Sequence, residues 1–266
     1  MSRVGRALLI HELLERARDR WVIVVTALFV LLASGIGLYG RAAEEAAAML
    51  TAPSLVTLCA LLVPLVALVL GHDAIVGERE RHTLGLLLSL PVGRTEVLVA
   101  KYLGRALALA LAIGAGLGTA SLVVSSGRAG VLLALVPPTL LLGASFLSLG
   151  VLLSCLARRH ATSASLAVAV WFVLVFFYDL GLLAVMVASD GGVPQETVRW
   201  LTALNPTGLY RMTLLVELTG AATLEDLGLA VELPGAVARG VTWAAWIALP
   251  LALGALTLHR RDGVTG

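Results

Sequence analysis

Six apolar runs, each near the length of a membrane crossing, dominate the pattern of this chain. They lie at 21–40, 53–76, 97–125, 131–156, 163–188 and 241–258. About 20 apolar residues rising about 1.5 Å each cross the hydrocarbon core. The pattern therefore predicts an all-α polytopic membrane protein, one transmembrane domain over 1–266 with six transmembrane helices. Only residues 127–130 separate the third and fourth runs as a turn, which predicts a tight helical hairpin.

Between and beside these runs lie three amphipathic or charged stretches. Over 3–20, Ala7, Ile10, Leu14, Ala17 and Trp21 recur at helical spacing on one face, while Glu12, Glu15, Arg16 and Asp19 share the other. This predicts an interfacial helix that sinks Ile10, Leu14 and Trp21 to headgroup level and keeps its charges in water. The longest connection, 189–240, opens with a turn at Asp190–Pro194. Asn205-Pro206 then reads as a helix start, with asparagine as N-cap and proline at the first helical position. An apolar stripe of Leu209, Met212, Leu215 and Val216 follows, and a second short helix is expected over 224–233. Two such helices can dip back into the outer leaflet without crossing it.

The third stretch, 77–94, sits between the second and third runs. Glu78, Arg79, Glu80 and Arg81 stand in succession, and no bilayer interior accepts four adjacent charges. The segment therefore stands in water. About two helical turns follow, stopped by Pro91 and Gly93, with Arg94 beyond. Glu78 has Arg81 or His82 within helical reach. Leu84, Leu87 and Leu88 have no lipid to cover, so the pattern predicts that they dock on another protein.

Composition supports the membrane assignment: 59% of residues are hydrophobic and only 14% charged, with a mean hydropathy of +0.97. Soluble domains carry about 25% charged residues. The first 20 residues are too polar for a cleavable signal peptide. Of nineteen basic residues, fourteen fall in segments on one side of the predicted topology. Arg41, Arg128, Arg199, Arg211 and Arg239 fall on the other. The positive-inside rule then puts both termini in the cytoplasm. Lys101, the single lysine, has no phosphate-binding glycine loop around it, so ATP hydrolysis, if used, belongs to another chain.

No catalytic constellation is present. His11-Glu12 resembles the start of a zinc-protease helix but lacks the second histidine. All five histidines lie on or near the predicted cytoplasmic side, and no metal site is expected. Cys59 and Cys155 read as packing residues. Asp179, behind Tyr178 in the outer part of the fifth run, is either a polar group on a pathway or a carboxylate held by a neighbouring helix. Tyr178 and Met212 are further candidates for a pathway or vestibule, although Met49, Met186 and Met212 are too scattered for a soft-metal site. Asp73 reads as structural. Small residues on the third run (Gly114, Gly116, Gly118) and the fourth (Gly143, Ser145, Ser148, Gly150) predict close helix contacts.

With these residues in place, the chain resembles ABC-2-type permeases, the membrane halves of ABC transporters, over essentially its whole length. The most specific match is Gly77-Glu78-Arg79-Glu80-Arg81 leading to Leu87-Leu88-Ser89-Leu90-Pro91-Val92-Gly93-Arg94. The resemblance implies that this is a coupling helix seated in a cytoplasmic ATPase. Gly71-His72-Asp73-Ala74-Ile75-Val76 and Asn205-Pro206-Thr207-Gly208-Leu209-Tyr210-Arg211 further resemble the permeases that serve copper-centre maturation of nitrous oxide reductase. The resemblance implies a homodimer in the bacterial inner membrane, a cytoplasmic ABC ATPase that holds the ATP and Mg, and a periplasmic partner protein. It implies no cofactor on this chain and a sulfur species or related factor as cargo. A membrane scaffold that drives a periplasmic partner without moving cargo is the alternative. A stand-alone secondary transporter would show inverted repeats, and none is seen.

Overall fold

The computed structural model describes residues 3–17, 51–89, 92–123, 133–190, 192–219 and 233–261, with scattered helical positions between 23 and 38. Among the described residues every regular element is a helix. Five of these helices are long and apolar enough to cross a membrane. The first predicted span, the short helix at 224–233, and the residues Trp21 and Pro91 fall largely or wholly outside the described residues.

The surface helix is Arg3–Ala17. The second span is Thr51–Gly71, followed by a turn and two short helices, Val76–Glu80 and Leu84–Ser89. The third span is Arg94–Val123 and the fourth Val136–Leu156. The fifth runs from His160 to Ala188, with a π turn at Val173–Phe177. Gln195–Leu204 and Pro206–Thr219 form a helical hairpin, and Ala236–Arg261 is the sixth span. Helix ends depart from the apolar runs because polar residues extend them: Arg94 opens the third span and His160 the fifth, while Ala236 and Arg261 bound the sixth. The second span is instead shorter than expected, ending at Gly71 rather than at residue 76.

The fourth span is the hub. It packs on the second, sixth and third spans and on the far-end hairpin. In it 61% of the apolar stretch is buried inside the protein, against 6% in the fifth span. Small residues explain the hub position. A Cβ on Gly71 would lie 2.8 Å from the Gly150 Cα, so the backbones of spans two and four touch there. Gly114 and Gly118, by contrast, meet nothing within 4 Å in this chain.

Two prolines, Pro64 and Pro250, lie in span interiors past the first turn, and the sixth span shows how one is tolerated. Pro250 has no N–H to donate to the carbonyl four residues earlier, that of Trp246. The Ser148 hydroxyl donates to that carbonyl at 2.8 Å instead. The mid-helix carbonyl freed by Pro250 is thus satisfied by the hub.

Candidate functional site

At one end of the bundle the charged segment is welded to its own chain. Its first helix, Val76–Glu80, begins where the Ser154 Oγ accepts hydrogen bonds from the backbone N–H groups of Ile75 (2.8 Å) and Val76 (2.9 Å). It ends in a Schellman arrangement. The Thr83 N–H reaches the Glu78 carbonyl at 3.0 Å and the His82 N–H reaches the Arg79 carbonyl at 3.3 Å. His82 occupies the left-handed position with φ 57°, a place glycine normally takes. The expected single helix of two turns is therefore two short helices with a break at His82.

Glu78 corrects a sequence expectation. Neither Arg81 nor His82 is its partner; Lys101 Nζ donates to its Oε1 at 2.9 Å and the Thr83 hydroxyl donates to Oε2. Lys101 also donates to Glu12 Oε2 at 3.1 Å, and Arg105 Nε donates to Glu12 Oε1 at 2.8 Å. Arg105 Nη1 reaches Asp73 and the Leu70 carbonyl. One buried network thus joins the surface helix, the end of the second span, the charged segment and the third span. Glu12 is only 2% exposed, so its expected place on the watery face is overturned. Gly104 makes this possible: a Cβ there would sit 2.8 Å from the Glu12 Cβ. The surface helix turns Ile10 and Leu14 outward, 55% and 54% exposed.

The remaining charged-segment residues divide between inward and outward. Arg79 Nη1 donates to the Ala157 carbonyl at 2.7 Å. Glu80 Oε1 accepts the His160 N–H at 2.7 Å. Leu84 is buried in the chain's own core at 6% exposure, whereas Leu86 is 72% exposed. Leu84 therefore needs no partner protein to cover it, and Leu86, passed over in the sequence pattern, is the leucine left open. Arg81 and His82 are exposed beside it, and Leu87 is half-buried. The side chain of Leu88 lies outside the described residues. Arg94 Nη1 donates to the His259 carbonyl at 3.2 Å, which ties the start of the third span to the end of the sixth. The two spans thereby bring Arg94, His259 and Arg260 to the same end as Arg79 and Arg81.

The far half is held mainly by neutral groups. The Asn205 Oδ1 accepts the Thr207 N–H at 3.1 Å, the expected N-cap with Pro206 first in the helix. Its Nδ2 donates to the Leu174 carbonyl at 2.8 Å, inside the π turn, where ladder hydrogen bonds are displaced. Trp246 Nε1 donates to the Leu204 carbonyl at 2.7 Å. The Tyr178 hydroxyl donates to the Leu201 carbonyl at 2.6 Å. The buried hydroxyls of Thr139 and Tyr210 lie 3.1 Å apart. Asp179 is held by a neighbouring helix: Arg211 forms an ion pair with it, and both side chains are a little over one-third exposed. Met212 packs against the core, and the buried stripe is Leu209, Tyr210, Thr213 and Leu214, one residue round from the expected one. The helix Gln195–Leu204 was not anticipated, because its proline start hid in a run read as a turn.

Sequence reasoning also passed over Glu12, Lys101 and Arg105 as interacting residues. The signal was available: two cations one helical turn apart inside an apolar span require buried partners. Among the described residues no cluster of three or more metal-ligating side chains occurs.

Residues 6–263 match the model of a family described as "ABC-2 family transporter protein". Among curated proteins, the chain is 40% identical to the "Probable ABC transporter permease protein NosY" of Pseudomonas aeruginosa over 263 residues. The protein of the same name from Stutzerimonas stutzeri is 38% identical over 266 residues. Each alignment covers 94% of this chain and 96% of the relative.

Proposed function

Since this chain belongs to the ABC-2 family and is the permease subunit of an ABC-2 transporter, we propose that it works as a homodimer driven by a cytoplasmic ATPase seated on residues 77–94. The partners in this reading are a NosF-like ATPase, which holds the ATP and Mg, and a NosD-like periplasmic protein. The chain itself catalyses nothing and binds no cofactor. Both termini lie in the cytoplasm and the protein sits in the bacterial inner membrane. The cargo is a sulfur species or related factor for the copper–sulfide centre of nitrous oxide reductase, on the strength of the likeness carried by residues 71–76 and 205–211.

One observation carries the reading: the charged segment is anchored to its own chain at Ser154, Lys101 and Ala157, yet it presents Leu86, Arg81 and His82 outward. A rigidly mounted helix with one open leucine is suited to receive a push. Glu78, Glu80 and Leu84 are its mounting, while Arg81, Leu86 and Leu87 are its working surface. Conformational bias then arises from differential docking between nucleotide states. At the far end, Tyr178, Asp179 and Met212 border the outer vestibule.

Covering one leucine stabilises by about 1.5–3 kcal/mol, which is roughly 10- to 150-fold in affinity. Leu86→Asp is therefore expected to cut co-purification of the ATPase at least about tenfold while the chain still inserts. Unchanged co-purification and unchanged stimulation of hydrolysis would refute the docking surface. Flux of sulfide into sealed vesicles tests the cargo; hydrolysis without flux would favour the scaffold.

A further inference from the structure

Among the five described spans the fifth is the least embedded. Its buried positions, Ser163, Ala167 and Val175, form one narrow stripe. It begins without a cap of its own, since Arg159 at the N-cap makes no side-chain capping hydrogen bond. The cap comes from the charged segment, as Glu80 Oε1 accepts the His160 N–H at 2.7 Å. A carboxylate there also faces the positive end of the helix dipole. The same junction holds the His72 and His160 rings 4.8 Å apart, and the Ser163 hydroxyl donates to the His72 carbonyl at 2.6 Å. From its midpoint on, the span carries the far-end hairpin through three specific contacts: Leu174 with Asn205, Tyr178 with Leu201, and Asp179 with Arg211. From His160 to Asp179, across the π turn at Val173–Phe177, the helix covers about 28 Å.

We propose that the fifth span is the pushrod of the permease: Glu80 grips its start, so displacement of the charged segment is delivered to the far-end hairpin along this helix. The inference rests on the coupling role proposed above. Glu80 acts here as a positioning residue, through the backbone of His160 rather than through the ATPase. The second span joins the segment through the turn at 72–75, and the third is paired with it at Glu78–Lys101, so both move with the segment. The fifth is the span whose residues hold the hairpin at three places.

The test uses the full chain assembled with its ATPase, labelled in turn at Gly85→Cys on the charged segment, where a Cβ meets nothing within 4 Å, and at Glu196→Cys on the hairpin. Cys59 and Cys155 are buried and are replaced by alanine. Distances between the two copies are measured by spin-label spectroscopy without nucleotide and with a non-hydrolysable ATP analogue. In the parent protein both distances are expected to change. In Glu80→Ala the change at Gly85 persists and the change at Glu196 falls at least fivefold. Glu80→Gln, whose amide oxygen still accepts the His160 N–H, restores at least half of it. An undiminished change at Glu196 in Glu80→Ala overturns the pushrod and leaves the docking role standing. Loss of both changes also overturns it, because Glu80 would then act in docking. No change at Gly85 in the parent overturns the docking role itself and the inference with it.

Discussion

The two ends of this permease are held by opposite chemistry. At the charged end, Glu12, Asp73, Glu78, Lys101 and Arg105 form a mostly buried set of ion pairs. In the far half, side-chain amides, indoles and hydroxyls donate to main-chain carbonyls, and the two ion pairs described there, Asp179–Arg211 and Glu196–Arg199, are partly exposed. Breaking a buried pair strands a charge and costs about 3–5 kcal/mol. Losing a neutral hydrogen bond costs about 0.5–1.5 kcal/mol. The contrast teaches that the charged end is fixed in one geometry, whereas the far half is assembled from bonds weak enough to exchange one at a time.

The sharpest way to break the comparison is Glu12→Ala. It leaves both Lys101 and Arg105 short of a partner in a site 2% exposed or less. A loss of about 3–5 kcal/mol is expected, seen as a large drop in the amount of folded protein in detergent and in its melting temperature. A melting temperature like that of the parent would mean that the network is dispensable. Asn205→Ala should cost about 1–2 kcal/mol, because it removes both the cap and the bond to the π turn. It should speed hydrogen exchange of the hairpin while leaving residues 76–89 unchanged; equal acceleration at both ends would erase the distinction. Asp179→Asn is expected to be the mildest, about 0–1 kcal/mol, as for other partly exposed pairs. A loss as large as that of Glu12→Ala would show that the far half, too, is electrostatically locked.

Much of the fold was legible in the apolar runs, because a helix in lipid must be long and continuous to satisfy its backbone. Asn205-Pro206 was equally legible, since a cap is a local matter. The buried network was not. Periodicity placed Glu12 on a polar face, and nothing local to residues 3–20 announces that Gly104 opens a slot for it on another helix. The break at His82 was hidden for a related reason: the chain stops a helix there with a histidine where glycine is the usual signal. Leu84 faces inward and Leu86, not among the leucines expected to dock, faces outward because that break resets the helical register between them and Glu78.

The backbone touch between Gly71 and Gly150 has a mechanical meaning of its own. It lies at the very tip of the second span, where a side chain on either glycine would meet the facing backbone. Were the second span to pivot there, a swing of about five degrees would sweep the opposite tip, about 30 Å away, through nearly 3 Å while the glycines stay in place. A small rotation at one end would then be a broad stroke at the other.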